Sequence, residues 1–216
     1  MKIAGFKKQS LIDYPGNISA VVFTQGCNLR CGFCHNPDLV LPEKFGNTIS
    51  ESVILDYLNK RKTLLDAVCI TGGEPTLHKD LPNFIEKIKK LGLKVKLDSN
   101  GSHPSMLKAL IKNKLIDFVA MDIKHLLNYK AYNKTVGYSI SENIFKEIQE
   151  SIEIIKSSGI DYEFRTTVVG GLHSISDIKY LQNIFPNLKI QNFNGDIVLN
   201  PELKFKPLIN IDTLMV

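Results

Sequence analysis

From residue 18 onward, short β-rich runs alternate with longer amphipathic runs, and the apolar period switches between two and about 3.6 residues at each boundary. ISAVVFT (18–24), AVCIT (67–71), KVKLDS (94–99), DFVAMDI (117–123), YEFRTTVV (162–169) and KIQNF (189–193) predict strands. The intervening periodicity predicts helices over 50–64, 80–91, 104–114, 140–158 and 174–185. Ser50, Asp80 with Pro82, and Ser141 stand where helices start, and Gly92 and Gly159 where they end. Parallel neighbours need crossover connections of roughly a dozen residues or more, so this alternation implies a mostly parallel sheet with right-handed crossovers. Six units are too few for a closed eight-stranded barrel. The expected fold is therefore α/β: an open partial (β/α)6 barrel of mostly parallel strands, with the C-terminal strand ends and their loops on one face. No linker or repeat divides the chain, which predicts a single domain over 1–216. Within it, 1–17 is an N-terminal extension, 18–193 the barrel core and 194–216 a C-terminal tail.

Composition narrows the function classes. With 44% hydrophobic and 23% charged residues, 216 residues suffice for a sizeable core. Apolar runs such as ISAVVF fall far short of the ~20 residues that span a bilayer, and no charged, then apolar, leader opens the chain. A cytoplasmic protein with no membrane contact is expected. The net charge is +5, but the lysines are spread along segments such as FIEKIKKLGLKVK and MLKALIKNKL without interleaved aromatics. That pattern argues against a nucleic-acid surface and leaves attraction to an acidic protein partner. Three of the four cysteines lie within eight residues, a poor disulfide framework for a chain without a leader. Reduced thiols acting as ligands fit better.

The chemistry-bearing residues collect at the C-terminal ends of the predicted strands, where parallel α/β sheets place ligands. After the first strand come Cys27, Cys31 and Cys34, spaced C-x3-C-x2-C. After the second comes TGGEP (71–75), at the end of the third DSNG (98–101), and at the end of the fourth MDIK (121–124). The fifth carries Arg165 and runs into VVGG (168–171). The cysteine set is one short of a closed tetrahedral zinc site. His35 would complete a Cys3His set, although it directly follows Cys34 and one local backbone geometry would have to serve both. Alternatively the three thiolates hold a [4Fe-4S] cube whose fourth iron stays open to a ligand. Cys69, inside an apolar strand, reads as a small buried hydrophobe. Asp122 and Lys124 alternate along one strand and so share a face, where opposite charges need pairing or a ligand. DSNG alone is also compatible with a plain Asn-Gly turn, and TGGEP with an ordinary strand-to-helix turn.

In this order, CNLRCGFC, TGGEP, DSNG and MDIK resemble the radical S-adenosylmethionine (radical SAM) superfamily, over essentially all of residues 1–200. Within it, the chain is most similar to the short activating enzymes of glycyl radical proteins. Its opening, GFKKQSLIDYPGNISAVVFTQGCNLRCGFCHNPDL, resembles the activators of anaerobic ribonucleotide reductases. The resemblance implies a [4Fe-4S] cluster on Cys27, Cys31 and Cys34, with the open iron chelating the amino and carboxylate groups of S-adenosylmethionine. One-electron cleavage of the sulfonium then gives methionine and a 5′-deoxyadenosyl radical.

The same resemblance implies roles by position. Gly72, Gly73 and Glu74 meet the methionine ammonium, while Asp98, Ser99 (in place of a commoner Thr) and Asn100 hold ribose or carboxylate. Lys124 sits near the cofactor carboxylate or the substrate backbone, Arg165 neutralises a carboxylate, and His35 donates toward the cluster. Asp98, Asp122 and Lys124 form the expected catalytic group. Related activases often carry a last-strand histidine; Gln191, Asn192 and Asn194 stand there instead. His78, His103, His125 and His173 are expected as loop or helix-end residues.

The implied partners are a glycyl radical enzyme, best matched by an anaerobic ribonucleotide reductase large subunit, and a flavodoxin or ferredoxin electron donor. Between Cys34 and Gly72 lie 37 residues containing only Cys69, and no cysteine follows it, so no second cluster is expected. Two further readings compete. The 7-carboxy-7-deazaguanine synthases share the size and cysteine spacing but follow the last cysteine with Asp-Thr, where this chain has His35 and Asn36. A non-catalytic zinc protein that binds a partner through basic helices belongs to a different class.

Overall fold

Among the described residues, seven strands form one sheet in chain order: β1 (Ile3–Ser10), β2 (Ser19–Thr24), β3 (Ala67–Gly72), β4 (Lys94–Ser99), β5 (Phe118–Asp122), β6 (Asp161–Val168) and β7 (Lys189–Asn192). The computed structural model describes residues 1–205; residues 206–216 of the expected tail lie outside the described residues. Strands β2 to β7 are parallel throughout. The connections carry α1 (Pro37–Val40) and α2 (Glu51–Arg61), then α3 (Leu81–Lys89), α4 (Pro104–Lys112), α5 (Tyr129–Thr135) with α6 (Glu142–Lys156), and α7 (Ile175–Ile184). The two edge strands do not pair, so the six-unit barrel is open, as the strand count implied.

The N-terminal segment differs from expectation. Residues 3–10 are not a mere extension but an antiparallel edge strand on β2, with register shifts between Ile3 and Gly5 and between Lys7 and Ser10. Those irregularities break the period-two signal, which is why IAGFKKQS does not read as a strand. Helix α5 is also absent from the sequence-based list, because YKAYNKT is short and buries only Tyr132 and Thr135.

Helix starts follow the expected chemistry. Ser50 Oγ accepts from Ser52 N and Ser141 Oγ from Ile144 N. Asp80 holds the N-cap position of α3, but its side chain makes no capping bond and pairs with the Met1 amine instead. Gly92 and Gly159 close their turns at φ +83° and +74°.

The sheet's two faces differ sharply. Val68, Ile70, Val95, Leu97, Val119 and Met121 alternate on the outward face, wholly buried in one cluster with Phe84, Ile85, Leu107 and Ile148 from the helices. Each such side chain contributes about 1.5–3 kcal/mol of burial. The inward face carries Lys96, Asp98, Asp122 and Arg165 instead, as the alternation of Cβ directions requires. No helix among the described residues is long and apolar enough to cross a membrane.

Candidate active site

The inward face opens at the C-terminal strand ends into one cavity, and the expected catalytic, cofactor-binding and metal-ligating residues all line it, whereas Asn192 and Asn194 do not. Cys27, Cys31, Cys34 and His35 come from the loop after β2, and Gly72, Gly73 and Glu74 from the end of β3 and the turn beyond. Asp98, Ser99 and Asn100 come from the end of β4, Asp122 from β5, Lys124 from the loop after it, and Arg165 from β6. Leu29, Phe33, Val40 and Thr167 add to the wall without having been singled out, and Thr71 and Gln191 line it too. Thr167 lies two residues beyond Arg165 and in register with Gln191. Strand alternation alone would have placed both on this face.

The cysteine loop is held by its own backbone and by Arg30, whose guanidinium donates to Cys27 O (2.8 Å) and Leu29 O (2.9 Å). Burial pushes the Cys27 thiol up to about 12 and Cys31 up to about 11, and raises Cys34 as well. Thiols so placed stay protonated near neutrality until a metal supplies the compensating charge. Among the described residues, no three His, Cys, Asp or Glu side chains gather as they would around a single ion. A four-iron cube needs no such convergence, since each thiolate takes its own iron, so the donor set fits a [4Fe-4S] cluster. His35 lines the cavity beside the cysteines; its ring stacks on Phe193 (centroids 6.0 Å apart, 29°), and burial lowers its pKa despite a bond to the Asn194 backbone. Cys69 is wholly buried away from this cavity, its Sγ 3.9 Å from Lys96 Nζ.

The glycines of TGGEP serve a close approach between backbones. A Cβ on Gly72 would lie 2.4 Å from Thr24 N, and one on Gly73 2.0 Å from Gly26 O. Gly73 N donates to Thr24 O (2.9 Å) and Glu74 N to Gly26 O (2.7 Å), so the turn after β3 docks directly on the cysteine loop. Glu74 is 1% exposed. Its carboxylate accepts from Thr76 N (3.1 Å), Thr76 Oγ1 (2.5 Å), Ser99 Oγ (2.9 Å) and Asn100 N (2.6 Å). Burial raises its pKa, with these donors opposing. Glu74 thereby ties the ends of β3 and β4 together, and Asn100 Nδ2 reaches Asn28 Oδ1 (3.0 Å) in the cysteine loop.

Across the floor runs a ladder of charges. Lys96 Nζ meets Asp98 (2.6 Å), Asp98 meets Arg165 (3.4 Å), Arg165 Nε meets Asp122 (2.9 Å), and Asp122 meets Lys124 Nζ (2.9 Å). Glu163 and Lys189 extend it at 3.7 and 3.8 Å. Burial alone would push the Asp122 carboxyl up, but Arg165 and Lys124 outweigh it and hold it well below the usual carboxylate range. Of these, Asp98, Asp122, Lys124 and Arg165 line the cavity, two carboxylates against two cations, so the charges there are paired with one another. Lys124 Nζ stands 5.7 Å over the Phe33 ring, beside the cysteines.

Residues 21–182 match the family model for the radical SAM superfamily. The chain belongs to that superfamily. It is 37% identical over 212 residues to a Methanocaldococcus jannaschii protein provisionally named a glycyl-radical enzyme activating enzyme, the match covering 95% of this chain and 85% of that one. It is 28% identical over 195 residues to the pyruvate formate-lyase-activating enzyme of Clostridium pasteurianum, covering 87% and 77%. Among solved structures, TYW1 with a lysine-pyruvate adduct bound superposes with a TM-score of 0.64 at 15% identity, over 91% of this chain and 70% of that one. Streptococcus suis SuiB bound to S-adenosylmethionine gives 0.61 at 20%, over 81% and 42%; these two likenesses carry the fold alone. This radical SAM protein is an enzyme of the glycyl-radical activase type, and the cofactors of its family are a [4Fe-4S] cluster and S-adenosylmethionine. The heterocycle and zinc readings give way to it.

Proposed function

We propose that the chain activates an anaerobic ribonucleotide reductase large subunit in the cytoplasm, abstracting hydrogen from a backbone glycine, with its electron drawn from a flavodoxin or ferredoxin. The observation that carries the chemistry is the single cavity joining three thiols, the hydrogen-bonded Glu74 and the paired charges of Asp98, Arg165, Asp122 and Lys124. Cys27, Cys31 and Cys34 hold the cluster, which when bound supplies one electron to the sulfonium of S-adenosylmethionine and so generates the abstracting 5′-deoxyadenosyl radical.

The protein's own groups bind and orient. The backbone of Gly72 and Gly73, at the cavity wall, would hold the methionine ammonium. Glu74, its lone pairs already taken by Thr76, Ser99 and Asn100, holds the turn after β3 against the end of β4 and adds negative charge nearby. Ser99 and Asn100, beside Asp98, offer hydrogen bonds to ribose. Lys124 and Arg165 face the carboxylate, and Asp122, ionised throughout the working pH range, orients both. His35 borders the cluster from the Phe193 side. Thr167 and Gln191 face the glycine-bearing segment, where a last-strand histidine is common in related activases.

The choice of partner is supported by the resemblance of the 35-residue opening, from Gly5 to Leu39, and by the absence of cysteines for a second cluster. The +5 charge suits an acidic donor. The test mixes reduced, cluster-loaded protein, S-adenosylmethionine and an anaerobic ribonucleotide reductase large subunit, and reads the glycyl radical by EPR. A glycyl signal is expected. A signal only with a pyruvate formate-lyase would replace the partner, and failure to release 5′-deoxyadenosine under any condition would overturn the reaction.

A further inference from the structure

Two buried histidines outside the cavity are joined in a reciprocal arrangement. The last β5–β6 register pair is Asp122 with Arg165, and Ile123 N still reaches Arg165 O (2.7 Å). One residue further, Lys124 has left the ladder, and its backbone must find other partners. Its amide donates to the Tyr132 hydroxyl (3.3 Å), and its carbonyl pairs with His173 Nε2 (2.9 Å). His173 and His125 are each 6% exposed and stacked, with centroids 4.9 Å apart at 19°.

Main-chain amides settle the tautomers, because an N–H can only donate. His173 Nδ1 accepts from Val169 N (3.1 Å), so its Nε2 bears the proton and donates to Lys124 O. His125 Nδ1 accepts from Leu126 N (2.8 Å), so its Nε2 donates to Leu172 O (3.0 Å). Each ring takes an amide from its own loop and gives a proton to a carbonyl of the other.

We propose that His173, braced by His125, is a positioning residue that fixes Lys124 at the cavity by clasping the loop after β5 to the loop after β6. The inference rests on the reading of Lys124 as a cofactor-facing cation. The clasp matters because Lys124 lies past the last strand pair and its ammonium must meet both Asp122 and the incoming ligand. A long side chain on a loose backbone would spread over many rotamers, whereas a backbone held at both its amide and its carbonyl delivers the ammonium to one place.

A merely structural histidine and a positioning one are separated by two substitutions. In His173→Gln the amide nitrogen falls near Nε2 and can still donate to Lys124 O, but the partner of Val169 N is lost. In His173→Asn the amide oxygen falls near Nδ1 and can still accept from Val169 N, but Lys124 O is out of reach. Both lose the stacked ring. Two readouts apply to cluster-loaded protein: hydrogen exchange of the 123–127 peptide, and S-adenosylmethionine affinity, taken from its perturbation of the reduced-cluster EPR spectrum.

His173→Asn is expected to speed exchange and weaken affinity on the order of fivefold, the scale of one lost hydrogen bond. His173→Gln should stay near wild type on both. Equal effects of the two substitutions, tracking the loss in melting temperature, would overturn the proposal, as would unchanged exchange in both. If exchange rises in His173→Asn while neither it nor Lys124→Ala alters affinity, the Lys124 reading falls and takes the positioning role with it. Tyr132→Phe releases Lys124 from the other side and should loosen the same peptide, so the proposal stays testable if His173→Asn does not fold.

Discussion

The outward and inward faces of the same strands obey opposite rules. On β4, Val95 and Leu97 point outward into the helix layer with no exposure, while Lys96 and Asp98 point inward and are held by a 2.6 Å ion pair. The outward face is non-directional: any well-packed apolar set of the right volume would serve. The inward face is specified atom by atom, since each buried charge is tolerable only through its neighbour. Stability should therefore reside mainly outside the sheet and chemistry inside it, and the two should come apart under mutation.

The largest expected separation sets Cys31→Ala against Leu97→Ala. Cys31→Ala removes one of the proposed cluster ligands and is expected to abolish stoichiometric iron and sulfide while the melting temperature of the metal-free chain shifts little. Leu97→Ala should cost about 2–5 kcal/mol in denaturant unfolding, yet leave the folded fraction able to load a cluster. Cys69→Ala tests whether position or residue type decides. Cys69 is inward-facing but wholly buried away from the cavity, so it should behave as a small packing loss with iron content intact. Comparable iron loss at Cys69 and Cys31 would mean that the inward face is not divided into a ligand-binding rim and a packed floor.

Next in size comes Arg165, the bridge between Asp98 and Asp122. Arg165→Met leaves both carboxylates short of a partner and is expected to cost about 1–3 kcal/mol, with weaker S-adenosylmethionine binding. Arg165→Lys keeps the charge but offers a point donor where a fork spans two acceptors, so it should recover part of the stability and little of the binding. Full recovery of both would show that only net charge matters at this position.

The two faces also differ in how legible they are in sequence. The outward face and the strand order could be read because period-two apolar runs separated by period-3.6 runs have one architectural solution. The cavity residues could be read because the parallel topology puts strand ends together, and the cysteine, GGE, DSN and DIK segments sit at those ends. What stayed hidden depends on contacts between segments far apart in the chain. Strand β1 is irregular and identifies itself only by pairing with β2. The full hydrogen-bond saturation of Glu74 arises from Ser99 and Asn100, more than twenty residues away. His125 and His173 have no local motif, and their reciprocal bonding exists only once β5 and β6 lie side by side.

A pH series tests the link between the faces at a smaller scale. Burial lowers the pKa of His173; the bond to the Lys124 carbonyl and the charge of Asp177 oppose that shift, and the stacked His125 adds to it. Its folded pKa is depressed, so the unfolded chain binds the proton more readily. The stabilising effect is then complete above the unfolded value of about 6.5 and is lost as pH falls below it, by up to about 1.4 kcal/mol per pH unit. The slope of stability between pH 7.5 and 5 should be shallower in His173→Gln than in the wild type. An identical slope would assign the acid sensitivity to another group.

The smallest expected effect concerns the outer side of the cysteine loop, where polypeptide rather than sheet covers it. Asn200 N donates to Gly32 O (2.8 Å), and a Cβ on Gly32 would lie 3.0 Å from Leu203 Cδ1 and 3.2 Å from Asn200 Cβ. Both neighbours are side-chain atoms that can move by a few tenths of an ångström, so Gly32→Ala should be nearly silent. Gly32→Val adds two further methyl groups in the same space, and residues 200–203 must lift from the loop between Cys31 and Cys34. Cluster loading under anaerobic conditions should persist, because no ligand is touched. The change should appear as faster bleaching of the cluster absorbance on exposure to air, with Leu203→Ala showing the same trend from the other side of the contact. If Gly32→Val bleaches at the wild-type rate, the 193–204 segment does not shield the cluster. The inward face would then owe its protection to the barrel alone.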